Sequence, residues 1–161
     1  MIAVDANVLL PLLREDALTK IAQSVRAADR EWVMPSLLKI EVVNALLNEV
    51  KAGYLTLEGA MQAVGTADEL TAQARVQDPA PREILATARQ SGLTAYDATY
   101  VVLARSLGVH LITEDRQILR ACPDVARSMR RFLGPPEGMP TAAREERVVC
   151  KTRNKKVAKQ P

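Results

Sequence analysis

Short apolar segments alternate along the chain with longer stretches whose apolar residues recur every three or four positions, the patterns of buried strands and of helices packed on them. Ile2-Ala3-Val4 is apolar and β-branched at two of three positions, which predicts a buried strand ending at Asp5. Residues 7–13 and 16–29 read as helices joined at Arg14-Glu15-Asp16. Trp32-Val33-Met34 predicts a second strand stopped by Pro35; Ser36 then caps a long helix to about Ala52, and Gly53 ends it. Thr56 opens a helix to about Ala74, and Arg75-Val76-Gln77 is a weak third strand before Asp78-Pro79. Pro81 to Gln90 is helical up to Ser91-Gly92, and Thr94 caps a helix that ends at Gly108. Val109-His110-Leu111-Ile112 reads as a strand, 115–121 as a short helix and Val125 to Ser128 as a last strand. No repeat is visible.

Short apolar strands alternating with helices imply an α/β fold, a parallel sheet covered by helices on both faces. In such sheets, sites collect beyond the carboxyl ends of the strands. Asp5 directly follows the first strand, and Asp115 lies three residues after Ile112, so both are expected on one sheet edge.

The 161 residues suit one domain, and an apolar fraction of 48% suffices for a core. With one Trp, one Phe and three Tyr, that core must be mainly Leu, Val, Ile and Ala. Cys122 and Cys150 have no CxxC spacing, which argues against a disulfide framework and a thiolate zinc site and predicts a reduced, cytoplasmic protein. No basic stretch precedes an apolar one at the N-terminus and no apolar run reaches a membrane span, so neither secretion nor anchoring is expected. The net charge of +3 is uneven: residues 1–138 carry 15 basic against 17 acidic residues, and 139–161 carry 7 against 2. The breakers in Gly134-Pro135-Pro136-Glu137-Gly138-Met139-Pro140 mark the boundary. A domain over 1–134 is therefore expected, followed over 135–161 by a Pro/Gly linker and a basic, disordered tail. That tail either adds non-specific attraction to phosphates or is a solvated segment without a role.

Four acids stand in apolar surroundings far apart in sequence: Asp5, Glu41, Asp97 and Asp115. A carboxylate is costly to desolvate without a partner, and a bound cation is the simplest compensation. Each also has a local explanation. Glu41 shares a narrow polar stripe with Asn44 and Asn48, beside an expected apolar face of Ile40, Val43, Leu47 and Val50, so it faces either a cleft or solvent. Thr94-Ala95-Tyr96-Asp97 matches a capping box, and Asp5 and Asp115 stand where acids favour helix starts.

Carboxylate oxygens suit hard divalent cations, Mg²⁺ with Mn²⁺ as substitute. A phosphodiester approaches such a cluster only if a cation inverts the local field, so hydrolysis of a nucleic-acid backbone fits best. The single histidine, His110, is placed in an apolar strand with a structural role, which disfavours His-dependent nucleases and Ser-His-Asp hydrolases. No GxSxG, GxxxxGK[ST] or GxGxxG pattern occurs, and Asp5-Ala6-Asn7 departs from the Asp-x-Asp of aspartyl phosphotransferases.

Val4-Asp5-Ala6-Asn7-Val8-Leu9, Pro35-Ser36-Leu37 leading to Glu41-Val42-Val43-Asn44-Ala45-Leu46, Thr94-Ala95-Tyr96-Asp97-Ala98 and Leu111-Ile112-Thr113-Glu114-Asp115 stand in an order and spacing that resemble a PIN domain. The closer likeness is to the toxin subunit of VapBC-type (type II) toxin–antitoxin pairs, over residues 1–134. This resemblance implies a three-layer α/β/α fold with a four- or five-stranded parallel sheet, and a Mg²⁺- or Mn²⁺-dependent endoribonuclease that cleaves structured RNA such as tRNA or rRNA. It assigns the metal to Asp5 and Asp97, completed by Asp115 directly or through water. Glu41 would hold or orient a water, a role that shades into general-base work, with Asn7 and Thr113 as hydrogen-bonding pocket support. It also implies a homodimer and a small antitoxin that sends a cationic segment into the acidic cleft. Arg14, Lys39, Arg82 and Arg116 are candidates for holding RNA, by proximity in sequence alone. The alternatives are a non-catalytic PIN-like module that binds RNA or protein, and a structure-specific DNA nuclease.

Overall fold

The computed structural model describes residues 1–14 and 16–134, so the linker and tail expected over 135–161 lie outside the described residues. Its elements are β1 (Ile2–Val4), α1 (Ala6–Leu13), α2 (Thr19–Ala28), β2 (Trp32–Met34), α3 (Leu37–Lys51), α4 (Leu57–Thr71), β3 (Arg75–Val76), α5 (Pro81–Ser91), α6 (Ala95–Leu107), β4 (Leu111–Ile112), α7 (Arg116–Ala121), β5 (Ala126–Arg127) and α8 (Met129–Leu133). The five strands form one sheet in the order β3-β2-β1-β4-β5, and every pairing is parallel. From β1 the chain builds outward through β2 and β3, then crosses to the other side of β1 to lay down β4 and β5. The order therefore reverses between β1 and β4, the point at which an open α/β sheet leaves a crevice at its carboxyl edge. Val4 stands opposite Ile112 there.

Strands this short hold because β1, β2 and β4 are wholly buried. Helix α6 packs on β1 and β4 and buries seven consecutive residues, Ala98 to Ala104, because α5 covers its outer side. Helix α5 itself buries no residue and is the outermost layer. Both end in a left-handed glycine, Gly92 at φ 72° and Gly108 at φ 65°, where a residue with a Cβ would be strained. The result is the expected three-layer α/β/α arrangement. Among the described residues, no helix is long and apolar enough to cross a membrane.

Local expectations changed at several points. Helix α3 packs through Leu38, Val42 and Leu46; the face expected to be buried is open, with Ile40 67%, Val43 43% and Leu47 42% exposed and Val50 half-buried. The helix is apolar on two stripes, so periodicity could not choose between them; packing against α1 and α4 does. Ser36 does not cap α3. Its N–H and hydroxyl donate to Asp78 Oδ1 at 2.8 and 3.0 Å, tying the start of α3 to the segment after β3. His110 is exposed and precedes β4, where its carbonyl accepts from Ala3 N–H at 2.9 Å; it lies outside the buried strand in which it was expected. Helix α8, after the last strand, has no counterpart in the predicted elements.

Leu103 is fully buried on α6 whereas Leu85 on α5 is 72% exposed. Leu103→Ala is expected to lower the unfolding free energy by about 3 kcal/mol. Leu85→Ala should change it by less than about 0.5 kcal/mol, both read from urea denaturation; equal losses would contradict the assigned layering.

Candidate active site

Asp5 is the first residue past β1 and the N-cap of α1, only 7% exposed. Its Oδ1 accepts from Asn7 N–H at 3.3 Å, and its Oδ2 accepts from Asn7 Nδ2 at 2.9 Å and from the Thr113 hydroxyl at 2.6 Å. Thr113 leaves β4 beside it and is fully buried. While donating to Asp5, the Thr113 hydroxyl accepts Asp115 N–H at 2.9 Å and Asn7 Nδ2 at 3.3 Å, which uses its donor and both lone pairs. Asn7 Oδ1 accepts Glu114 N–H at 2.9 Å, and Glu114 Oε1 accepts Met129 N–H at 2.8 Å, so the exits of β1, β4 and β5 are joined side by side. The amide orientation of Asn7 follows from this network, since its oxygen must meet the Glu114 N–H.

The other acids come from three helices. Asp115 caps α7, its Oδ1 accepting from Gln117 and Ile118 N–H at 2.6 and 3.0 Å. Asp97 lies in the first turn of α6; its N–H donates to Thr94 Oγ1 at 3.1 Å, and its Oδ2 accepts the Thr94 hydroxyl at 2.7 Å. The capping role expected for Asp97 is thus real, but the return bond runs to the hydroxyl rather than to the backbone N–H of the cap. Glu41, half-buried on α3, accepts a hydrogen bond from Tyr100, one turn beyond Asp97 on α6.

Electrostatics join the set. Burial pushes the Asp5 carboxyl above its ordinary value, the bonds from Thr113 and Asn7 oppose this, and the charges of Asp115 and Asp97 push it further up. Glu41 is likewise raised by burial, opposed by Tyr100 and raised by Asp5 and Asp97. Asp97 thus acts on both Asp5 and Glu41 and Asp115 on Asp5, with Asn7 and Thr113 bonded to Asp5. Among the described residues, none of the ion pairs includes any of the four acids. Nor, among those residues, do three His, Cys, Asp or Glu side chains converge closely enough to hold an ion as they stand.

The donor set is nonetheless chemically consistent with a hard cation, because all four groups are carboxylates at one sheet edge. His110 belongs to the amino end of β4, the opposite edge, and Cys122 is buried at the end of α7. Of the proposed RNA-holding cations, Arg14 pairs with Glu49 and Asp16, and Lys39 pairs with Asp68. Arg82 and Arg116 are exposed and enter none of the ion pairs among the described residues. Tyr100 escaped the sequence reading, although its place three residues after Asp97 sets both on one helix face.

A five-stranded parallel sheet in the order β3-β2-β1-β4-β5 with carboxylates past its strand ends sets the frame, and family comparison supplies the class: residues 2–122 match the PIN domain, and the chain belongs to that family. Exonuclease VapC9 of Pyrobaculum aerophilum is 35% identical over 79 residues, 49% of this chain and 58% of the relative. Ribonuclease VapC3 of the same organism is 28% identical over 124 residues, 76% of this chain and 95% of the relative. The chain thus spans little more than half the length of the first relative and nearly all of the second. A chain of a toxin–antitoxin complex from Klebsiella pneumoniae shares the fold with a TM-score of 0.61 at 15% identity, covering 81% of this chain and 99% of that one.

The raised carboxyls carry a testable sign. A group whose folded pKa exceeds its unfolded one holds its proton longer when folded, so its stabilising contribution is complete below the ordinary carboxylate range and is lost as pH rises to the folded value. Glu41→Gln should therefore unfold at higher urea than the wild type at pH 7 in metal-free buffer, with the difference shrinking as pH falls from the raised folded value towards the ordinary Glu value of 4.5 and levelling off below it. Identical pH profiles for the two proteins would contradict the reading of Glu41.

Proposed function

We propose that this chain is a metal-dependent endoribonuclease of the VapC kind, a toxin that cuts structured cellular RNA and is neutralised by a small antitoxin. The observation that carries the reading is the buried Asp5 carboxylate, placed at the sheet's switch point in the field of Asp115 and Asp97, acting in turn on Glu41, and given no basic partner among the described residues. The names of its relatives support a nuclease, one a ribonuclease and one an exonuclease.

In this reading Asp5 and Asp97 hold a divalent cation, Mg²⁺ or Mn²⁺, with Asp115 completing the site directly or through water. Mg²⁺ suits carboxylates set apart in this way because it keeps several of its own waters. Once bound, such a cation supplies charge neutralisation for the phosphate and activation of the attacking water. Asn7 and Thr113 keep Asp5 in one orientation, with both oxygens already hydrogen-bonded. Glu41 orients the water and accepts its proton, a task for which a raised pKa is favourable. Arg82 and Arg116 are left to meet phosphates.

A protein partner has its own support. Ile40, Val43 and Leu47 form an exposed apolar stripe on the helix that carries Glu41, a surface better covered by protein than by water. The antitoxin would dock beside the acids and supply the cation that they lack, and the toxin itself would be a cytoplasmic homodimer. The Klebsiella neighbour that shares this fold comes from a toxin–antitoxin complex, which supports the antitoxin partner alone.

Purified, antitoxin-free protein is expected to cleave RNA in Mg²⁺ or Mn²⁺, to stop with chelator and to lose at least about 100-fold in kcat on Asp97→Asn while remaining folded. Mapping RNA ends after induced expression of both proteins tests this. Internal cuts present only with the wild type support the endonuclease; ladders from one end would favour exonuclease action. Folded wild type that binds RNA without cutting would favour a binding module, and cleavage confined to branched DNA a DNA nuclease.

A further inference from the structure

Tyr100 is 2% exposed, within the run of seven buried residues on α6, and its hydroxyl donates to Glu41 Oε2 across a separation of 59 residues. For packing alone a phenyl ring would serve, because a buried hydroxyl adds a desolvation cost that only a partner offsets. The partner here is not a neutral carbonyl but one of the four acids of the cleft. Among the described residues, no other hydrogen bond reaches the Glu41 carboxylate. Asp5 and Asp115 are fixed by backbone and hydroxyl donors, and Asp97 by its cap; Glu41, on the longest of the four side chains, has the phenol alone.

We propose that Tyr100 is a positioning residue for the reaction: its buried hydroxyl holds Oε2 of Glu41 and thereby sets the carboxylate that orients the attacking water. The inference rests on the nuclease reading above and adds to it a residue that touches neither RNA nor metal. The phenol suits the task because burial, the bond to Glu41 and the charges of Glu41, Asp5 and Asp97 all push its pKa far above the ordinary value, so it stays a donor at every working pH. Asp97 and Tyr100, one helical turn apart, let α6 present a candidate metal ligand and the clamp on the water-orienting acid together.

The test is a double-mutant cycle on RNA cleavage, with the folded state of each variant checked by its urea midpoint. Tyr100→Phe is expected to lower kcat about tenfold, the worth of one hydrogen bond to a charged group, with KM for RNA and calorimetric Mg²⁺ affinity unchanged. In a Glu41→Gln background the same substitution should cost less than about twofold, because the group it acts through is already altered. Proton NMR of the metal-free protein gives a second readout: an exchange-protected hydroxyl proton, absent in Tyr100→Phe and shifted in Glu41→Gln. Unchanged kcat in Tyr100→Phe, or losses that multiply fully in the double variant, would overturn the positioning role while leaving the nuclease intact. A wild type that cleaves no RNA would overturn the nuclease reading and this inference with it.

Discussion

Asp5 is a carboxylate almost out of contact with water, held where two parallel strands separate and faced by further carboxylates instead of a base. Three hydrogen bonds from Asn7 and Thr113 favour its charged form, yet burial outweighs them, and Asp115 and Asp97 add repulsion. Isolated buried charge is among the costliest features a small domain can carry. The surrounding structure reads as the means of tolerating it. The Thr113 hydroxyl saturates its bonding capacity, Asn7 bridges to the β4 exit, and Glu114 reaches the start of α8, so that the crevice walls are tied before any ligand arrives. Raised carboxyls of this kind cost stability at neutral pH, a compromise common where a site is functional.

The fold makes this arrangement possible through order rather than through any single contact. Because the chain lays down β2 and β3 on one side of β1 and β4 and β5 on the other, two strand exits diverge at the same edge, and α6 can cross β1 and β4 with its first turn beside them. Asp97 bonds to the Thr94 cap at the start of that helix and from the same place its charge reaches Asp5, so the cap and the proposed metal role are compatible. Asp115 behaves likewise, closing the first turn of α7 while contributing to the field at Asp5.

Strand-end logic located Asp5 and Asp115 because burial of a three-residue apolar strand and the position after it are both visible in local sequence. The alternation of strand and helix likewise carried the parallel α/β class. What sequence could not decide was long-range. Helix α3 is apolar on two stripes, and only its neighbours α1 and α4 choose Leu38, Val42 and Leu46 over Ile40, Val43 and Leu47. Glu41 was placed on the correct helix for an incorrect reason, since the face thought to pack is the open one. His110 looked buried because Val109, Leu111 and Ile112 flank it, but the strand begins one residue later. Tyr100 shares a helix face with Asp97, but the bond that ties it to Glu41 spans 59 residues, which no local pattern reveals.

If the acids at the sheet edge await a cation, the urea stability of the protein at pH 7 responds to Mg²⁺ or Mn²⁺ raised at constant ionic strength. Binding to the folded state alone should raise stability with the logarithm of metal concentration, by about 2.7 kcal/mol at a hundredfold excess over Kd. Asp5→Asn should blunt that rise. A wild type whose stability ignores both metals, or an Asp5→Asn variant that gains as much as the wild type, would rule out a cation held at Asp5.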